Sequence, residues 1–137
     1  MSVASQRDIG SYISPQIGNV PVASVAATLT GAAIDRQDYL SCVLTAVAGA
    51  ATGSPTALTL DAKLQDSADG STGWADITGA AITTIAAAST LGRVDVNLHG
   101  AARYIRVVST VAFTGGTSPT LGVATVVDLG GAVSLPA

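Results

Sequence analysis

The sequence predicts an all-β domain, a two-sheet antiparallel sandwich of jelly-roll type with an extended N-terminal arm. Three observations lead there. The chain breaks into short Thr-, Val- and Ala-rich runs separated by Gly, Pro, Asp and Ser, at the spacing of a sandwich or barrel. In the stretch "LTLDAKLQ", Leu58, Leu60, Ala62 and Leu64 alternate with Thr59, Asp61, Lys63 and Gln65, the period-two signature of a half-buried strand. All nine acids are Asp and Lys63 is the only lysine, so the Glu and Lys that usually coat exposed helices are nearly absent. Alanine is abundant and favours helix, but the period of the pattern outweighs the propensity of one residue type.

The elements follow in order. Met1 to Asn19 places Ile9, Tyr12, Ile13 and Ile17 among Gly10, Pro15 and Gly18 with neither a helical nor an alternating period. It reads as an extended arm (1–19) whose large apolar residues pack on its own domain or a neighbour. Strands are predicted over Val20 to Thr30, Tyr39 to Ala48 and Ala57 to Asp66, then over Trp74 to Thr78 after an acidic turn. The segment "AAITTIAAAST" is ambiguous: Ile82 and Ile85 are spaced for a helix face, but the Thr pair and flanking glycines favour a strand. Val94, Val96 and Leu98 alternate with Asp95 and Asn97. "ARYIRVVSTVAF" has the length of a central strand, with Ile105, Val107, Val111 and Phe113 inward and Tyr104 and Arg106 outward. Thr120 to Leu129 is the last strand, completing about eight in a sandwich domain over 20–130, and a tail spans 131–137. Periodicity does not define strand order, which leaves a related barrel as the alternative.

At 137 residues the chain fits one domain with one core. Charged residues make up 11% against about 25% in typical soluble domains, a surface poorly suited to keeping copies apart and better suited to an assembly. A net charge of −3 with scattered arginines offers no basic stripe for nucleic acid. Cys42 is alone in the apolar run "YLSCVLTAV" and reads as a buried small hydrophobe. The apolar run from Leu40 to Ala51 is too short to cross a bilayer. Arg7 followed at once by Asp8 is a poor secretion signal, so the start is expected to be mature protein.

Three features invite chemistry. In "DSADGSTGWAD", Asp66, Asp69 and Gly70 do not match the donor spacing of a calcium loop and no Glu closes it, whereas Asp-Gly between strands is a strong turn signal. Trp74 either stacks on a sugar or covers one end of the core; with one Trp, one Phe and three Tyr, an aromatic platform has few members. His99, in "NLHGAARY", lacks a nucleophile elbow or a second metal-ligating neighbour. The expectation is a non-enzymatic protein with no cofactor and no metal.

"LDAKLQDSADGSTGWADITG", "VDVNLHGAARYIRVVSTVAF" and "VATVVDLGG" with the tail "AVSLPA" together resemble small virion structural proteins of tailed bacteriophages. A strand leading into the Asp-Gly turn and an Arg-Tyr-Ile-Arg-Val strand recur there. The resemblance spans Leu58 to Ala137 and is greatest to capsid decoration (cement) proteins; tail and head-completion proteins share similar domains. It implies a structural protein made in the host cytoplasm and carried on the virion's capsid surface. Its implied partners are the major capsid protein and further copies of itself as a homotrimer, with no nucleic acid and no membrane. On that reading Ile9, Tyr12, Ile13 and Ile17 are the arm's anchors on a neighbouring subunit or the capsid. The competing readings are a carbohydrate- or receptor-binding module built on Trp74 and the tyrosines and, more remotely, an enzyme built around His99.

Overall fold

The computed structural model describes residues 8–133. After a 3-10 turn at Ile9–Ser11 come β1 (Ser14–Ser24), β2 (Ala27–Thr30), β3 (Ile34–Asp35), β4 (Tyr39–Thr52), β5 (Ala57–Ser67), β6 (Ala75–Ala81), β7 (Thr90–Asn97), β8 (Tyr104–Thr114) and β9 (Thr120–Ala132). They form two antiparallel sheets. Sheet I has the order β1-β9-β4-β7, and sheet II the order β2-β8-β5-β6 with β3 also on β8. β2 and β3 pair with successive stretches of β8, at Val108–Val111 and at Tyr104–Ile105, so they are two halves of one interrupted strand. Apart from that interruption and the β5–β6 hairpin, every connection crosses from one sheet to the other. This winding is the jelly roll.

The core lies where the inner faces meet. Leu44 from β4, Leu121, Val127 and Leu129 from β9, Leu60 and Leu64 from β5, and Ile105 and Val107 from β8 are fully buried. The alternation of Leu58 to Gln65 and the inward set of β8 are borne out, and β8 is central, held by β5 on one side and β2 on the other. Phe113 is only partly buried against the core.

Four expectations are corrected. Ser14 to Asn19 do not belong to an arm: they open β1, the edge strand paired with β9. Pro15 and Pro21 are tolerated because an edge strand leaves alternate N–H groups without ladder partners, and register shifts between Ile17 and Val22 absorb Gly18. The sandwich therefore begins near Ser14, and β9 carries it to Ala132; residues 1–7 of the arm and 134–137 of the tail lie outside the described residues. The strand expected over Val20 to Thr30 is two strands in different sheets, because the chain turns a corner at Val25 and Ala26. β4 continues past Ala48 to Thr52. Finally, the "AAITTIAAAST" segment is mostly a loop touching β5 through one bridge, Leu60 to Ile85. Its helix-like spacing arises because Ile82 and Ile85 both plug the core.

A polar seam joins the sheets at the β1 edge. Asn19 on β1 accepts hydrogen bonds from Ser109 Oγ (2.5 Å) and Thr125 Oγ1 (2.9 Å), and its amide nitrogen donates to the Val107 carbonyl at 3.3 Å. All three polar residues are buried. Gly18 and Gly31 allow the close approach: a Cβ on Gly31 would lie 2.0 Å from the Gly18 carbonyl oxygen.

Candidate interaction surface

The acidic burst is a self-satisfied turn. Asp69 Oδ1 accepts from the backbone N–H groups of Thr72 (2.8 Å) and Ser71 (2.9 Å) and from the Ser67 hydroxyl (3.0 Å), while Oδ2 accepts from Thr72 Oγ1 at 2.7 Å. Those donors, led by the Thr72 N–H, hold the Asp69 carboxyl well below the usual carboxylate range. Gly70 supplies the left-handed backbone (φ +75°) and presses against the Tyr104 ring, where a Cβ would sit 3.0 Å from a ring carbon. Both Asp69 oxygens are committed within the turn. Among the described residues no group of three or more His, Cys, Asp or Glu side chains is placed to hold a metal ion.

Trp74 does not cover the core end. It stands on the outer face of sheet II with the Arg106 guanidinium 4.3 Å from its ring centroid. Arg106 is fixed in turn by two hydrogen bonds to Gln65 Oε1 (2.9 and 2.8 Å), and the Gln65 amide donates to Asp76 at 2.9 Å. Lys63 closes the chain of contacts on Asp76 at 2.9 Å. One face of the indole is thus already occupied by a cation of the same chain. His99 lies exposed beside a turn, its backbone N–H bonded to Asn97 Oδ1, with no side-chain partner among the described residues. Cys42 faces the core, where burial, with Asp128 nearby, pushes its thiol up to about 12.

What the structure does assemble is apolar surface, in two parts. The first is the β1 edge. Ile9 and Ile17 are each 62% exposed and Val20 is 70% exposed, and Val25 at the β1–β2 corner is also open. Beside them a groove of about 580 Å³ runs between β1 and β2, lined by Ile17, Val20, Pro21, Val22, Leu29 and Gly31. Of the expected anchors, Ile9 and Ile17 therefore project outward, whereas Tyr12 and Ile13 are half-buried; Ile13 borders a groove on sheet I with Val43 and Asp128.

The second part is the outer face of sheet I. Ladder registers set Thr45 between Val126 and Arg93, and Val47 between Ala124 and Leu91. Val126, Val47 and Leu91 are exposed and make an apolar ridge across β9, β4 and β7. Next to it, Gly49 and Gly122 face each other across strands and leave a bare floor, a groove of about 410 Å³ walled by Pro21, Val22 and Val47. The strands of sheet I carry only Arg93, Asp95 and Asp128 as charged residues, and Arg93 bonds Asp95 at 2.6 Å. Sheet II by contrast carries Asp35, Asp61, Lys63, Asp66, Asp76 and Arg106. Sequence reasoning found the arm's isoleucines but missed this ridge. Its signal is the run of uncharged residues through β1 and β4, where outward positions such as Val22, Val43, Thr45 and Val47 carry neither Lys nor Asp.

No family model matches the chain, and no match was found among curated proteins. Solved structures similar to it include a disulfide-linked pilus of Bacillus endospore appendages (13% identity, 90% of each chain covered, TM-score 0.45). Another is VP2 of infectious bursal disease virus in its subviral particle (14% identity, 87% of this chain, TM-score 0.48); this chain spans 33% of VP2. A third is the CBM36-1 domain of a multidomain xylanase from the hindgut metagenome of Trinervitermes trinervoides (10% identity, 87% and 88% covered, TM-score 0.36). No residue role passes from any of them to this chain. Among the described residues no helix is long and apolar enough to cross a membrane.

Proposed function

We propose that this protein is a non-enzymatic structural component of a tailed-phage virion, a decoration protein that seats on the outside of the capsid and stabilises the shell. The observation that carries the reading is the exposed apolar edge of β1, with Ile9, Ile17, Val20 and Val25 open to solvent on a chain poor in charge. Exposed apolar surface of this kind marks an interaction site. The resemblance over Leu58 to Ala137 supplies the kind of partner, the major capsid protein.

The physical role needs no catalysis. A ligand that binds only the mature shell stabilises it by mass action, about 2.7 kcal/mol per site at a hundredfold excess over the dissociation constant. Repetition over a closed shell raises effective concentration, so each contact can be modest. Ile9 and Ile17 are the direct anchors; Tyr12 and Ile13, partly spent on their own domain, set the path of the chain into β1.

The test is incubation of the purified protein with undecorated heads of the cognate phage, followed by sedimentation and electron microscopy. Regular added density on the outer shell is expected, and Ile9→Asp with Ile17→Asp is expected to abolish it while leaving the fold intact. Density at the neck or tail of native particles instead would move the protein to a tail or head-completion role. A carbohydrate-binding role is the weaker reading, because Arg106 occupies one face of Trp74.

A further inference from the structure

We propose that two copies of this chain pair face to face through the outer surface of sheet I, the Val126–Val47–Leu91 ridge of each copy seating on the Gly49/Gly122 floor of the other. Ridge and floor lie side by side on one face, both apolar, so a two-fold rotation brings each onto its complement. That self-complementarity is what an isologous interface requires. Paired glycines at the floor remove two side chains that would otherwise hold the second copy away.

Area and charge agree. Four strands at roughly 4.8 Å spacing and about nine residues at roughly 3.3 Å rise give a footprint near 600 Å² before side-chain relief. A standard interface buries roughly 800 Å² per partner, so this one face is close to sufficient. The charges on it are few: Arg93 and Asp95 bond each other, and one carboxylate, Asp128, is left without an ion pair among the described residues. Packing through sheet II would instead bury Asp61, Lys63, Asp76 and Arg106. The pair is two-fold, not the trimer implied by the resemblance, because ridge and floor lie on the same sheet face and one face covers one further copy.

Pairing is measured in solution without shells, so its outcome is separate from that of the capsid reading. Sedimentation equilibrium of the full chain is expected to give twice the 13.4 kDa chain mass. Val47→Asp should halve that mass while the melting transition stays cooperative, and Leu91→Lys, on edge strand β7, serves as the second variant should the first fail to fold. Thr110→Lys, outward on sheet II, should leave the pair intact. A single-chain mass for the native protein, a three-chain mass, or a two-chain mass unchanged in both folded sheet I variants would overturn the proposal.

Discussion

Asn19 on sheet I and Ser109 on sheet II share a 2.5 Å hydrogen bond through the interior of the sandwich, with Thr125 as a third member. The seam is fully satisfied: no buried side-chain nitrogen or oxygen among the described residues lacks a partner. Replacing Asn19 with Leu removes the shared acceptor: the buried Ser109 hydroxyl loses its partner, and Thr125 Oγ1 keeps only the bond it accepts from the residue 19 backbone N–H. The expected loss is roughly 2–4 kcal/mol, read by urea denaturation, with Thr125→Ser close to the native value.

Gly31→Ala drives a methyl group into the Gly18 carbonyl, which is backbone and has no rotamer through which to yield. Destabilisation of roughly 3 kcal/mol or more is expected. Gly100→Ala, where nothing lies within 4 Å, should fall within about 0.5 kcal/mol of the native protein in the same thermal melt.

Calcium should leave the melting temperature unchanged, because the Asp69 oxygens are already bonded inside their turn. A calcium-dependent rise abolished by Asp69→Asn would mean that the turn opens to ligate the ion.

Acid should weaken the fold in a definite direction. Asp35 is held low by Arg103, Asp69 by the Thr72 N–H and Asp76 by the Gln65 side chain. A carboxyl with a depressed folded value contributes stability that is present above its unfolded value, about 3.9, and is lost as pH falls through the folded one. Denaturation midpoints should therefore hold steady from about pH 7 to 5 and decline below about pH 4, with a shallower decline in Asp69→Ala.

Trp74 reports on sheet II. Arg106→Ala uncovers the indole and should shift its fluorescence to longer wavelength, whereas soluble xylan or mixed-linkage glucan should leave native emission unchanged. Quenching by a glycan would favour the binding-module reading.

Much of this was legible in the residues. The alternation of Leu58 to Gln65 and the inward set Ile105, Val107 and Val111 fix two central strands, and Asp69-Gly70 marks the turn from β5 into β6. Less legible was β1, because Pro15, Gly18 and Pro21 read as breakers when considered alone. Only β9 makes them an edge strand, and that partner lies more than a hundred residues away. Ile82 and Ile85 misled for a similar reason: a loop that plugs a core imitates a helix face. The ridge on sheet I escaped notice since outward Val47 and Leu91 look like core until the registers place them.

The first and last strands are neighbours, and β9 lies between β1 and β4. During synthesis sheet I therefore cannot close until β9 has left the ribosome, and no chain lacking β9 can display the ridge, the glycine floor or the β1 edge in register. The surface proposed to pair is in this way withheld from any chain that lacks β9, so the order of synthesis itself acts as the proofreading step.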